Sequence, residues 1–512
     1  MQNDFEIEEL ENKTDEEQAE IIADFYAKIS NEYEPINDVS IPEKSYETNE
    51  PCPKFEEYLV YKRIMKMNTR KSTVRGDIPM KIIKEFGVEL STPLNHIFEF
   101  SMQNGQYPNL WKFQTITPAP KVYPPCRVKQ LRPISGLLNF AKIYESFLAE
   151  FMVEDMKPSK DPAQYVNEKS ISIQHYLVRM IHQILTALDK NSQKEANAVI
   201  VQLIDWQSAF DRQCHVLGVK SFLENGVRKS MIPLLISYFQ NRQMAVKWKG
   251  HYSQPRPLPG GGAQGGALGQ LEYISQTNHN VDFMDVDKKY KFIDDLSLLE
   301  IINLIMCGIS TYNFKQHVAS DIGTHGNYLP AANTKSQEYL DKIQNWTSQN
   351  KMLVNDEKCK YMIFNFTRKY QFSSRFYLNN IKLEELSECR LLGVVLTNDL
   401  SFEKNTESIV KSAYTRMIML RKLSQFGISM SDMLNIYVIY IRSVVEQSCV
   451  VWHSSLTEEQ HMEIERVQKV ALRIILQDLY ENYSNALAVT QLETLKSRRK
   501  LLCLRFAQNC TK

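Results

Sequence analysis

At 512 residues the chain is too long for one compact core and suits two or three subdomains. Its 43% hydrophobic and 24% charged residues are those of an ordinary soluble globular protein. A formal net charge of +1 excludes an argument for a nucleic-acid partner from bulk charge alone. Distribution says more, because acids crowd residues 1–60 (Asp4, Glu6, Glu8, Glu9, Glu11, Asp15, Glu16, Glu17, Glu20) and leave the remainder basic. A basic body with an acidic tail fits a phosphate-binding surface; a solvated, weakly ordered leader explains the tail equally well.

Nine cysteines stand at 52, 126, 214, 307, 359, 389, 449, 503 and 510, with no Cys-x-x-Cys among them. That argues against a zinc knuckle and a disulfide framework, and for an intracellular, reduced chain. The acidic start lacks the apolar run of a signal peptide. The most apolar stretches, 296–308 and 433–451, are interrupted by Glu300 and by Arg442 and Glu446. Both are expected to be core helices, not membrane spans.

In chain order, residues 1–30 are expected to form an amphipathic helix around Ile7, Leu10, Ile21, Ile22 and Phe25, and proline-rich 31–54 a linker. Helical spacing recurs over 55–68 and 79–104, with Pro79 suited to a first turn. The pattern is extended over 113–140 and helical over 170–189. Ala198–Asp205, AVIVQLID, is an apolar run of strand length that ends on an acid. A helical stretch follows to about 240, then a strand at 244–249, and a glycine-rich turn, 259–266, that opens a helix. Tyr290–Leu299 reads strand–turn–strand around Asp294–Asp295. A helix over 335–350, short strands over 359–395 and an almost wholly helical 404–507 complete an α+β reading.

An acid at a strand end and two adjacent acids in a hairpin turn are the hard oxygen donors that divalent cations take. Alone, Asp294–Asp295 reads as an ordinary acidic turn. Flanked on both sides by apolar strand residues, a like-charge pair is harder to explain without a cation to remove its repulsion.

The motifs become specific together. Asp205-Trp-Gln-Ser-Ala-Phe-Asp211, the turn PGGGAQGGALG (259–269), Phe292-Ile-Asp-Asp295, Asn355-Asp-Glu-Lys-Cys-Lys360 and Arg390-Leu-Leu-Gly393 occur in that order. They resemble successive palm motifs of reverse transcriptases. TRKSTVRGDIP (69–79), TPAPK (117–121), RPISGLLNFAKIYE (132–145) and DPAQYVNEKSISIQHYL (161–177) resemble the fingers of non-LTR retrotransposon enzymes. YIRSVVEQSCVVW (440–452) and IERVQKVALRII (464–475) resemble the helical region after their palm, so the likeness covers roughly 60–510.

The resemblance implies a right-hand polymerase. Residues 1–60 would be an acidic extension and linker, 61–190 fingers, 191–403 a palm with an antiparallel sheet, and 404–512 a helical thumb. It implies that Asp205 and Asp294 bind two Mg²⁺ ions (or Mn²⁺), with Asp295 the accessory acid. Lys121 and Arg132 would contact the triphosphate, since a guanidinium fork suits phosphate. Gln264 and Gly265 would lie beside the incoming nucleotide, Lys358 would protonate pyrophosphate, and Leu392 and Gly393 would position the primer end. Phe210 would press on the sugar 2′ position, which favours deoxynucleotides and disfavours a related RNA polymerase. The implied partners are an RNA template, a DNA primer and dNTPs, with no membrane and the oligomeric state left open. The implied locations are cytoplasm, nucleus or both.

Plainer readings stand beside these. Phe210 alone is more often a core aromatic, Lys358 and Lys360 solvated lysines, Arg132 a surface arginine and Arg498-Arg499-Lys500 a solvated helix face. The glycine run lacks Gly-Lys-Ser/Thr, so it is no P-loop. The ten histidines show no ligand spacing and receive no role. Gly269-Gln270 stands where the family often has Ser-Pro, and Ile293 where a smaller residue is frequent. Nothing before residue 60 is large enough for the endonuclease of full-length elements, which suggests a truncated copy. A decayed copy that binds nucleic acid without catalysis is the alternative to an active enzyme.

Overall fold

The computed structural model describes residues 5–70, 73–166, 170–190, 196–305, 335–367 and 374–510. Residues 71–72, 167–169 and 368–373, which belong to segments named above, lie outside this set, as does Cys307. The chain forms two compact units, each assembled from separated segments. Met1–Gln164, Asp205–Asp285 and Asp341–Asn355 make the first; Tyr165–Ile204, Val286–Leu340 and Asp356–Lys512 make the second.

In chain order, helices α1 (Asp15–Ser30), α2 (Glu57–Lys66), α3 (Met80–Glu85) and α4 (Gly87–Gln103) lead into strands β1 (Phe113–Pro120) and β2 (Leu131–Gly136). Helices α5 (Asn139–Met156) and α6 (Ile173–Asp189) precede β3 (Asn197–Ile204). Helices α7 (His215–Glu224) and α8 (Ile232–Phe239) lead to β4 (Gln243–Trp248), β5 (His251–Tyr252) and β6 (Arg256–Pro257). Helix α9 (Ala267–Gln276) is followed by the hairpin β7 (Lys289–Phe292) and β8 (Asp295–Asn303), then α10 (Lys335–Asn350). The short strands are β9 (Lys360–Phe364), β10 (Tyr377–Leu378), β11 (Ile381–Lys382), β12 (Glu384–Glu385), β13 (Glu388–Leu391) and β14 (Val394–Thr397). Long helices α11 (Glu403–Gln425), α12 (Glu458–Leu476) and α13 (Leu495–Cys510) dominate the rest.

In the first unit, β2-β1-β4-β5 form a sheet in which β1 and β4 run parallel, and β6 also pairs with β4. Thr14 caps α1 in a reciprocal box with Glu17, which satisfies two N–H groups that helix ends leave open. The apolar stripe of α1 (Ala19, Ile22, Ala23, Tyr26) then packs with Ile116, Met244, Val246 and Trp248 of the sheet. Its acids face partners within the unit: Glu20 and Asp24 meet Arg256 at 2.6 and 2.8 Å, and Asp15 meets Lys249 at 3.4 Å. Exposed pairs of this kind add about 1 kcal/mol at most, so burial of the apolar stripe docks the helix. The expected amphipathic helix is therefore present from Asp15, and the weakly ordered leader is corrected. A second core gathers α2, α4, α5 and α8 around Phe98, which stacks on Tyr144 with centroids 4.6 Å apart.

In the second unit, β12-β9-β3-β8-β7 form a sheet with β3 at its centre. Val199, Ile200 and Val201 are fully enclosed because both faces are covered, which is why Ala198–Val201 reads as a continuous apolar run, and buried Gln202 donates to Ser336 O at 3.0 Å. Helix α6 covers one face, and Tyr176 donates to Ser297 Oγ at 2.6 Å. The hairpin expected over Tyr290–Leu299 is present, and the competing expectation of a core helix over 296–308 is corrected: Asp295–Asn303 is strand β8, hydrogen-bonded to β3 on one side and β7 on the other. An apolar run buried on both faces carries no period, and pairing decided it. Residues 306–308 lie outside the description.

Among the described residues, Met430–Ser455 is the run long and apolar enough to cross a membrane. It contains a π-helical turn at Tyr437–Arg442 and buries Tyr437, Ile441, Val445 and Trp452 in the unit's core. Its charged pair, Arg442 and Glu446, lies 3.6 Å apart, with Arg498 also on Glu446. Every described cysteine is a free thiol.

Candidate functional site

In the first unit, the segment after Asp205 and the glycine-rich turn are laced together by backbone. The Gly262 N–H donates to Phe210 O and the Gly261 N–H to Gln213 O, both at 2.8 Å. Gln213 reaches back to Gly269 O at 3.0 Å, and His215 Nε2 lies 3.1 Å from Gly261 O. Gln264 is held at both ends, its carbonyl accepting from the Ser135 N–H and its Nε2 donating to Asp211 Oδ1, each at 2.9 Å. Gly265 (φ +136°) passes so close to β2 that a Cβ there would sit 2.7 Å from Ser135 O. No other residue fits that approach.

A pocket opens at this junction, lined among others by Ser135, Asp211, Gly261, Gly262 and Gln264. Burial pushes the Asp211 carboxyl up, opposed by the Lys121 charge, the Gln264 hydrogen bond and Arg212. Phe210 is half-buried and stacks on buried Tyr273 at 5.2 Å, with its plane tilted 30°. Thus Lys121, Phe210, Gln264 and Gly265 gather around Asp211. Arg132 is exposed on β2, opposite Ala119 in the register.

Asp205, half-buried, accepts at its carbonyl from the Asn355 N–H at 2.8 Å, and Trp206 bridges to Val354. The first and fourth motifs therefore meet through backbone. Along the chain, Asp205 directly follows Ile204, whose strand partner in the second unit is Leu296. Asp295 is the residue just before Leu296.

In the second unit, Ile293 and Asp294 form the two-residue turn between β7 and β8, and Asp294 and Asp295 are exposed. Ile293 is left-handed (φ 56°), which costs a branched side chain about 1–2 kcal/mol and points to a turn held by its context. Lys358 is exposed just before β9, and Lys360 pairs with Glu384 at 2.7 Å. Leu392 (φ 47°) and Gly393 (φ 86°) make the tight turn of the β13–β14 hairpin, with both central residues left-handed as such turns require.

The donor chemistry of Asp205, Asp294 and Asp295 fits a hard divalent cation, being carboxylate only. Among the described residues, no three His, Cys, Asp or Glu side chains are already grouped as a metal site.

Behind the turn lies a buried polar network that the sequence reading did not assign. Glu145 accepts from the Tyr238 hydroxyl at 3.2 Å, while the Arg242 guanidinium stacks 4.4 Å over the Tyr238 ring. Glu272 faces α7 where Gly218 leaves room; a Cβ there would meet its carboxylate at 2.6 Å. Burial pushes Glu272 up to about 8, although Arg242 pulls it down, and burial lowers His215 to about 3. Glu272 therefore holds a proton in the fold that the unfolded chain releases. Its stabilisation is complete below about 4.5 and lost as pH rises through 8. His215 has the opposite sign: its contribution is lost as pH falls from 6.5 toward 3. We expect Glu272→Gln to melt increasingly above wild type as pH rises from 6 to 8, by about 2 kcal/mol over that span. Thermal melts at the two pH values check it, and a constant gap would contradict it. A lone His or Glu in an apolar helix gives no spacing signal, so nothing local marked this network.

No protein-family model matches the chain. Among curated proteins, it is 23% identical over 485 residues to the probable RNA-directed DNA polymerase from transposon X-element of Drosophila melanogaster, covering 90% of this chain and 49% of the relative. It is 25% identical over 369 residues to that from transposon BS of the same fly, covering 71% and 38%. With the RNA-directed DNA polymerase from mobile element jockey, also of Drosophila melanogaster, it shares 24% over 323 residues, covering 63% and 33%. The chain spans about half the length of these relatives or less. The chain is thus similar to the reverse transcriptases of non-LTR retrotransposons.

Proposed function

We propose that the chain is an RNA-directed DNA polymerase that extends a primer 3′-hydroxyl with dNTPs on an RNA template. The observation that carries the reading is the Gln264–Asp211 hydrogen bond beside the Phe210–Gly262 backbone bond. These join two motifs distant in sequence around one pocket. The proposed layout is fingers 61–190, palm 191–403 and thumb 404–512.

In this mechanism Asp205 and Asp294 would hold two Mg²⁺ ions, with Asp295 accessory. Bound there, the ions would supply charge stabilisation at the attacking and leaving oxygens. Lys121 and Arg132 bind and orient the triphosphate. Gln264 and Gly265 shape the floor under the incoming nucleotide. Phe210, held by Tyr273, excludes a 2′-hydroxyl. Leu392 and Gly393 position the primer end, and Lys358 supplies a proton to pyrophosphate.

The test is extension of a labelled DNA primer on RNA with Mg²⁺ and dNTPs, with the product sequenced against the template. Template-directed DNA is the expected product. Salt-sensitive binding of template–primer without extension would leave the decayed, binding-only copy as the correct reading.

A further inference from the structure

The pocket at the glycine-rich turn is built partly from residues that precede every motif. Ser30, at the end of α1, is 2% exposed and satisfies both backbone groups of Gly260. Its hydroxyl donates to Gly260 O at 2.7 Å and accepts from the Gly260 N–H at 3.0 Å. The Tyr33 hydroxyl lies 3.0 Å from the carbonyls of Arg212 and Lys351, and its ring abuts Gly260, where a Cβ would meet Cδ2 at 2.6 Å. Tyr26 lines the same pocket as Asp211 and Gln264, with its hydroxyl buried there. A turn made of glycines has wide backbone freedom, so a bidentate side-chain anchor removes more disorder here than elsewhere.

We propose that Tyr26, Ser30 and Tyr33 are positioning residues of the nucleotide pocket, making the N-terminal helix an integral wall of that pocket. Ser30 fixes Gly260, and through Gly261 and Gly262 the turn that presents Gln264. Tyr33 fixes the chain beside Asp211 from the other side. This deepens the polymerase reading and rests on it for its kinetic consequence.

The experiment uses the full chain with Ser30→Ala and Tyr33→Phe, and with Lys28→Gln as a control on the exposed face of the same helix. Two quantities are read: dNTP KM and kcat in single-nucleotide primer extension, and hydrogen–deuterium exchange of residues 258–268. Ser30→Ala should raise dNTP KM about three- to tenfold with kcat within about twofold, and speed exchange at 260–266. Tyr33→Phe should do the same to a smaller extent, and Lys28→Gln should change neither quantity. Unchanged KM or unchanged exchange in Ser30→Ala overturns the proposal, as does an equal change in Lys28→Gln. If the wild-type chain extends no primer, the polymerase reading fails by itself. Exchange then decides the positioning claim alone: faster at 260–266 in Ser30→Ala sustains it, and no change ends it.

Discussion

Asp294→Asn should lower primer extension by on the order of 10³-fold while leaving the melting temperature and template–primer affinity close to wild type. The residue is exposed at the tip of a two-residue turn, so the fold does not use its charge. Asparagine keeps the size and one oxygen but loses the negative charge that two bound cations require. Asp205→Asn should match it in activity. Asp205 is half-buried, so a stability cost of up to about 1–2 kcal/mol can accompany that loss. Single-turnover extension with saturating primer separates the chemical step from binding. Activity within tenfold of wild type in Asp294→Asn would remove the acid from the mechanism.

Phe210→Val should admit ribonucleotides. Its ring is fixed by stacking on Tyr273 and its backbone by the bond to Gly262, so it cannot swing aside for a 2′-hydroxyl. Shortening it opens space without adding charge, and the dNTP-over-rNTP preference should fall on the order of 10²-fold. The change should come through rNTP incorporation, with dNTP use reduced only modestly. The measurement is kcat/KM for a matched dNTP and rNTP pair on one template. Unchanged discrimination would return Phe210 to the role of a half-buried core aromatic.

Much of this architecture was legible because local pattern and tertiary role agree. AVIVQLI has the length and β-branching of an enclosed strand, and Asp205 follows it where the apolar run stops. The glycine-rich turn announced both its conformation and the helix it opens, since Gly265 occupies backbone space forbidden to others. Where pattern was ambiguous, contacts distant in sequence decided. Residues 296–299 fit both the strand of a hairpin and a buried helix, and the ladders to β3 and β7 make the run to Asn303 a strand. The helix at 15–30 was legible by periodicity, but not its docking, because Ser30 and Gly260 lie 230 positions apart. The Glu145, Arg242 and Glu272 network was invisible for the same reason. Each charge looks like a surface residue until its neighbours are known.

In the proposed mechanism, carboxylates at a strand end and a hairpin tip would share divalent cations. Mn²⁺ titration followed by electron paramagnetic resonance tests it most directly, on the chain bound to template, dideoxy-terminated primer and matching dNTP. Two bound Mn²⁺ in the wild type, with loss of at least one in each of Asp205→Asn and Asp294→Asn, is the predicted result. Identical Mn²⁺ stoichiometry and affinity in all three proteins would contradict the account.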